Sequence, residues 1–208
     1  MQLEIRTCEV GFLPTNCYLV KDADTGESFA VDPGDYDDAL ARTLREMGID
    51  RLNYILLTHG HHDHILGLKR LQDAFGGKIV MHKSETAFLT DDSLSLRHPL
   101  FGSLPCAEHA DLTVRDGDAI PFAGGEIRVL HTPGHTRGSV CYLLENNLFA
   151  GDTLFQESVG RTDLPTGNTQ ELLQSVRKLA ALDGDFTVFP GHGPQTTLSH
   201  ERKYNPYL

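Results

Sequence analysis

The stretch Thr58-His59-Gly60-His61-His62-Asp63-His64 packs four histidines and a carboxylate into seven residues, a density that neither core packing nor helix capping asks for. Metal binding explains it, because imidazole nitrogen and carboxylate oxygen both ligate zinc, iron or manganese, and no nearby cysteine offers a structural zinc framework. Gly60 is expected to let the loop turn tightly, so that His59 and His61 converge on one ion while Asp63 and His64 face another. The apolar run from Leu52 to Leu57 just before it is short enough for a buried strand, which sets the cluster at a strand's carboxyl end.

Working outward, Leu3 to Val10, Cys17 to Lys21 and Ser28 to Asp32 read as short strands of a meander, separated by Pro14, Gly26 and Pro33-Gly34. Leu40, Leu44 and Met47 recur at helical spacing, with Asp37 and Asp38 in the first turn and Gly48 at the end, so a helix is predicted over 36–47. A second runs from Ile65 to Phe75 and stops at Gly76-Gly77, followed by a strand over Lys78 to His82. The carboxyl half repeats the theme with strands near Glu126 to Leu130, Val140 to Leu144, Leu148 to Ala150 and Phe186 to Phe189, and a helix over Thr169 to Leu182 whose stripe Leu172, Leu173, Val176, Leu179 is core packing. Strands at the start of each half with helices between them predict an α/β (α+β) chain with two packed sheets and helices outside, an αββα arrangement. The aperiodic segment from Thr90 to Ala110 fits a lid over the pocket and an ordinary surface loop equally well.

Composition narrows the partners. With 208 residues, 39% of them hydrophobic, one domain over 1–208 is expected. The balance of 29 Asp+Glu against 18 Lys+Arg, a formal charge of −11, offers no footprint for nucleic acid or an anionic membrane. A small molecule is the expected partner, and an anionic one, since bound cations would make the pocket locally electropositive. The amino terminus lacks the pattern of a signal peptide and no apolar run approaches a membrane span, which points to the cytoplasm. Cys8, Cys17, Cys106 and Cys141 form no CxxC pair and read as reduced structural thiols. No feature speaks to oligomeric state.

The run His59, His61, Asp63, His64 matches without a gap the HxHxDH signature of the metallo-β-lactamase superfamily, which the chain resembles over nearly its whole length. Thr132-Pro133-Gly134-His135-Thr136, Gly151-Asp152-Thr153 and Pro190-Gly191-His192-Gly193 are similar to its later ligand loops, in family order. The resemblance implies two divalent cations, zinc first and iron or manganese as alternatives: His59, His61 and His135 on one, Asp63, His64 and His192 on the other, Asp152 bridging. It also implies that Asp32, with Thr58 beside it, supports the metal loop through hydrogen bonds. Asp152 and Asp63 are the expected catalytic carboxylates, Asp152 by setting the spacing of two cations that activate a shared water, Asp63 as ligand before proton shuttle. His62 is expected to point away, His131 to pack beside the site, and His82, His98, His109 and His200 to have no part in it.

Within the superfamily, the resemblance argues against antibiotic hydrolysis as main activity, because the β-lactamases place a cysteine where this chain has Asp152. The flavodiiron oxidoreductases differ at His61, and the nucleases carry further parts. The segments Thr132 to Tyr142 and Gly151 to Phe155 are very similar to hydroxyacylglutathione hydrolase, or glyoxalase II, implying a thioesterase acting on S-lactoylglutathione-like 2-hydroxyacyl thioesters. Only 16 residues follow His192, so the family's helical glutathione-binding domain is expected to be absent; the closing Glu201-Arg202-Lys203-Tyr204-Asn205-Pro206-Tyr207-Leu208 looks like the tail of compact glyoxalase II-like proteins. Arg161 is a candidate anchor for a substrate carboxylate. Its segment Gly160-Arg161-Thr162-Asp163 also resembles persulfide dioxygenase, a mononuclear iron enzyme and the rival reading, with lactone or ester hydrolysis a further alternative.

Overall fold

Alternation along the first strands decides how the layers form. In the computed structural model, which describes residues 1–97 and 107–208, Leu3–Val10 (β1), Thr15–Asp22 (β2) and Ser28–Val31 (β3) make the expected antiparallel meander. Tyr54–Leu56 (β4), Lys78–His82 (β5) and Leu112–Val114 (β6) extend it in parallel. The crossovers carry helices Asp38–Glu46 (α1), His62–Ile65 (α2) and Leu68–Phe75 (α3), and α1 starts where the Asp37 side chain accepts the Leu40 N–H. A 3-10 turn at Thr86–Leu89 and a short helix at Asp92–Ser95 (α4) precede β6.

The second sheet contains Ala119–Phe122 (β7), Gly125–His131 (β8), Val140–Leu144 (β9), Asn147–Gly151 (β10), Thr187–Pro190 (β13) and Thr196–Thr197 (β14), in the order β14-β13-β10-β9-β8-β7. Between β10 and β13 lie a two-stranded hairpin, Leu154–Phe155 (β11) with Ser158–Val159 (β12), and helix Thr169–Ala180 (α5); Leu198–Tyr204 (α6) follows β14. Strand period two sends Tyr18 and Val20 to the apolar cluster between the sheets, where they meet Tyr142 and Phe149, and sends Cys17 and Leu19 outward beneath α1 and α3. On the other sheet Cys141 and Leu143 face outward to Leu172, Val176 and Leu179 of α5. Three apolar clusters between four layers are the αββα arrangement that the strand and helix order predicts.

Two expectations change in detail. The helix over 65–75 is broken at Gly67, whose N–H bonds to Pro33 O at 2.9 Å and whose missing side chain lets the Asp35 backbone pass, so His62–Ile65 forms a separate helical turn. The strands β6, β7, β11, β12 and β14, two to four residues long with no run of their own, and the helices α4 and α6 are not anticipated by the sequence. Of the segment read as lid or surface loop, α4 lies within the described residues, while residues 98–106, with His98 and Cys106, lie outside them. Cys8, Cys17 and Cys141 are free thiols. Among the described residues no helix is long and apolar enough to cross a membrane.

Candidate metal centre

Four loops meet at one end of the two sheets, each leaving the carboxyl end of β4, β8, β10 or β13. The sheets are joined there by Val140 N–H to Thr58 O at 2.9 Å and by Tyr142 Oη to Leu57 O at 2.9 Å. Asn16 of β2 reaches across as well, its Nδ2 donating to Pro190 O at 3.0 Å and Gly193 O at 2.8 Å.

The sequence-predicted ligands are brought together in two groups, His59 with His61 and His135, and Asp63 with His64 and His192. Asp152 lies between them: its Oδ1 is 3.5 Å from His64 Nε2, and its Oδ2 is 3.5 Å from His135 Nε2 and 3.7 Å from His192 Nε2. Asp63 Oδ2 is 3.3 Å from His192 Nε2 and 3.7 Å from His64 Nε2. Ligand atoms about 2.0–2.2 Å from a tetrahedral cation stand roughly 3.3–3.6 Å apart, which is the spacing seen and is too long for good hydrogen bonds.

Ring orientation agrees with this use. His64 Nδ1 donates to Asp32 at 3.0 Å, His135 Nδ1 to Arg161 O at 2.7 Å, and His192 Nδ1 to Pro14 O at 2.7 Å. Thr58 Oγ1 donates to Asp32 at 2.6 Å, leaving its oxygen to accept from His59 Nδ1 at 3.1 Å. Each of these four rings therefore turns an Nε2 lone pair inward. Among the described residues, His59 Nε2, His64 Nε2 and Asp152 Oδ1 are buried without a hydrogen-bond partner. So is His61 Nε2, while its Nδ1 faces His135 Nε2 at 2.9 Å. Buried polar atoms left unpaired cost 1–3 kcal/mol each by order of magnitude, and a cation satisfies several at once. The donor set thus fits a dinuclear metal centre.

Asp32 also lies within ligand distance of His59 and His64, but its oxygens are taken by Thr58 N at 2.8 Å, Thr58 Oγ1 and His64 Nδ1, so it supports the centre rather than joining it. Gly60 is explained differently from expectation: its φ is not left-handed, and a side chain there would strike Phe88. At Gly191 a Cβ would come within 2.2 Å of Asp152 Oδ1, so the loop that carries His192 passes this carboxylate only without a side chain.

Among the side chains themselves, burial and neighbouring imidazoles hold His59 well below the usual range and bring His61 down to about 3, which keeps both as neutral donors. Burial alone would lower His64, but Asp152, Asp63 and Asp32 outweigh it and lift it to about 10. Without a cation its Nε2 therefore holds a proton, and a cation at the same carboxylates would take that proton's place. Burial likewise opposes ionisation of Asp63, yet His64 and His192 hold its carboxyl well below the ordinary carboxylate range.

A family model described as the metallo-beta-lactamase superfamily matches residues 10–192. The chain belongs to that superfamily. It is 34% identical to hydroxyacylglutathione hydrolase GloC of Haemophilus influenzae, across 99% of this chain and 98% of that one. The crystal structure of BLEG-1 B3 metallo-beta-lactamase superposes with a TM-score of 0.89 at 35% identity, covering 99% of each chain. That of TTHA1623 in a di-iron-bound form superposes with a TM-score of 0.82 at 31% identity, covering 98% of this chain and 100% of that one.

The cluster of histidines and aspartates opens into a cleft of about 520 Å³. Arg161 lines it, but its Nε and Nη2 both donate to Asp163 at 2.7 Å, and this pair is largely exposed. His62, expected to point away, joins neither ligand group, yet it is buried and lines the cleft. His131 stacks on His82 at 4.2 Å and its Nε2 meets Arg137 O at 3.0 Å, while His200 lies against Glu157 and Tyr204.

Three supporting groups escaped the sequence reading. Pro14 and Arg161 act through backbone carbonyls, which no residue type signals. Glu85 is fully buried, its Oε2 accepting Gly60 N–H at 2.9 Å and its Oε1 Gly138 N–H at 2.8 Å, so it ties the histidine loop to the loop that carries His135. Burial pushes its carboxyl up to about 7 against the lowering by Thr136 and the two backbone donors. In the sequence it is one glutamate among many.

Proposed function

We propose that the chain is a metal-dependent hydrolase, and a thioesterase for 2-hydroxyacyl thioesters of the S-lactoylglutathione kind. The observation that supports it most is Asp152, placed within 3.7 Å of ring nitrogens from both ligand groups. Two divalent cations, with zinc in first place and iron or manganese alternatives, would supply an activated water at neutral pH and polarise the substrate carbonyl. The histidines hold their Nε2 atoms inward by outer hydrogen bonds, Asp152 keeps the two groups in register, and Asp63, held anionic by His64 and His192, suits ligation better than proton transfer. Similarity to GloC, across nearly the full length of both chains, favours a hydroxyacyl thioester.

The mononuclear dioxygenase reading fills one ligand group and leaves the other empty, so the complete ligand set serves both readings; similarity to GloC over nearly the full length of both chains puts the hydrolase first. Similarity to BLEG-1 adds β-lactam cleavage as a competing activity, against the expectation drawn from Asp152. The test is hydrolysis of S-lactoylglutathione by protein reconstituted separately with zinc, iron and manganese, with nitrocefin cleavage and oxygen uptake on glutathione persulfide in parallel. Thioester turnover that disappears in Asp152→Ala is expected. Turnover confined to nitrocefin, or oxygen uptake with iron alone, would replace the thioesterase reading.

A further inference from the structure

The tail Glu201 to Leu208 has so far no role, and the cleft has walls that the metal chemistry does not use. The two are connected. Directly beyond Asp152 the chain forms the β11–β12 hairpin, whose Phe155 and Val159 line the cleft together with Leu13 and Leu164. A two-residue-by-two-residue hairpin has little stability of its own. It is held from behind by α6 and the residue that ends it. Buried Asn205 donates through Nδ2 to Ser158 O at 3.0 Å, a hydrogen it shares with Phe155 O at 3.4 Å, and fully buried Glu201 accepts the Glu157 N–H at 2.8 Å. Glu201 also accepts from Thr196 Oγ1 at 2.6 Å and from Asn205 Nδ2 at 2.9 Å, so the polar groups of this brace satisfy one another.

The brace therefore fixes an apolar wall beside Asp152. Among the described residues the cleft's only Lys or Arg is Arg161, and its guanidinium fork is already matched by both oxygens of Asp163. Apolar surface fixed next to the reacting atoms recognises apolar surface. A carrier thiol must run out to solvent, so the walled volume falls to the acyl group. We propose that the β11–β12 hairpin, held by Glu201 and Asn205, is one wall of an acyl subsite that takes an aliphatic side chain longer than that of a lactoyl group. This rests on the thioesterase reading above and specifies its substrate class.

The experiment compares S-lactoylglutathione with S-(2-hydroxyhexanoyl)glutathione, which share thiol, thioester and 2-hydroxyl and differ by three methylenes, on the metal-reconstituted protein. The longer substrate is expected to have a kcat/KM about tenfold higher, since in a cleft open to solvent each partly buried methylene is worth roughly a twofold preference. Leu164→Asn and Phe155→Ala are each expected to bring that ratio to within about twofold of unity by removing apolar contact. Equal rates, or preference for the lactoyl thioester, would overturn the subsite and leave the thioesterase standing. A preference that both variants leave intact would overturn its assignment to this wall. If neither thioester is hydrolysed, the thioesterase reading fails and the subsite with it.

Discussion

The two halves of the metal centre are built in opposite ways. The first sheet contributes His59, His61, Asp63 and His64 from one loop, so local chain geometry already brings them within reach of each other. The second contributes His135, Asp152 and His192 one at a time from the ends of three strands, and their meeting depends on β8, β10 and β13 running the same way in one sheet. A local cluster survives modest disturbance of the layers; a dispersed one does not. The contrast ranks the substitutions that would expose it.

Asp152→Ala strikes both halves at once and is expected to have the largest effect. It removes the carboxylate near His64, His135 and His192, so metal content measured by atomic emission should fall below two ions per chain. Thioester turnover should fall by more than the roughly 100-fold at the top of the range for lost supporting groups. Two ions retained at ordinary affinity would break the view that Asp152 couples the halves.

Asp32→Asn tests the local half. Asp32 sits at φ 50°, a conformation that Asn also tolerates, so the change acts through the hydrogen bonds to Thr58 and His64 rather than the backbone. Metal affinity measured by chelator competition should drop by about 10- to 100-fold. An unchanged affinity would mean that loop geometry alone orients His59 and His64.

That difference in construction also explains what could be read from residue order. The histidine loop, the meander and helix α1 were legible because their signals are local: dense ligands, alternation, and a spaced apolar stripe behind Asp37. Gly60 was read as a backbone device, although its reason, the ring of Phe88, comes from a distant segment. His135, Asp152 and His192 were picked out by similarity to a family, since nothing in their own spacing sets them side by side. Glu85 and the carbonyls of Pro14 and Arg161 went unseen because their significance exists only after the two sheets have packed.

Glu85→Gln addresses the tie between the halves. The native carboxyl is raised from its ordinary value to about 7, so the unfolded chain ionises first as pH rises. Its favourable contribution is complete below about pH 4.5 and is lost as pH climbs through 7, whereas Gln has no such dependence. The stability of the native protein relative to Glu85→Gln, from urea unfolding, should therefore fall by on the order of 2–3 kcal/mol between pH 4.5 and pH 7.5. A difference independent of pH would show that the carboxylate is already ionised in the fold, compensated by its N–H donors.

The smallest change removes a single oxygen from the interlayer seam. Tyr142 is buried in β9, and its hydroxyl donates to Leu57 O just beyond β4, one residue before the histidine loop begins. Tyr142→Phe keeps the ring that packs between the sheets and leaves that carbonyl short of a donor, for an expected loss of about 1 kcal/mol. The second tie, Val140 N–H to Thr58 O, is backbone and stays in place, so metal affinity should move less than twofold while stability falls. If affinity falls with stability instead, the local half of the centre leans on the second sheet after all. The distinction between a self-contained loop and dispersed ligands would then be one of sequence only, with both halves held by the same seam.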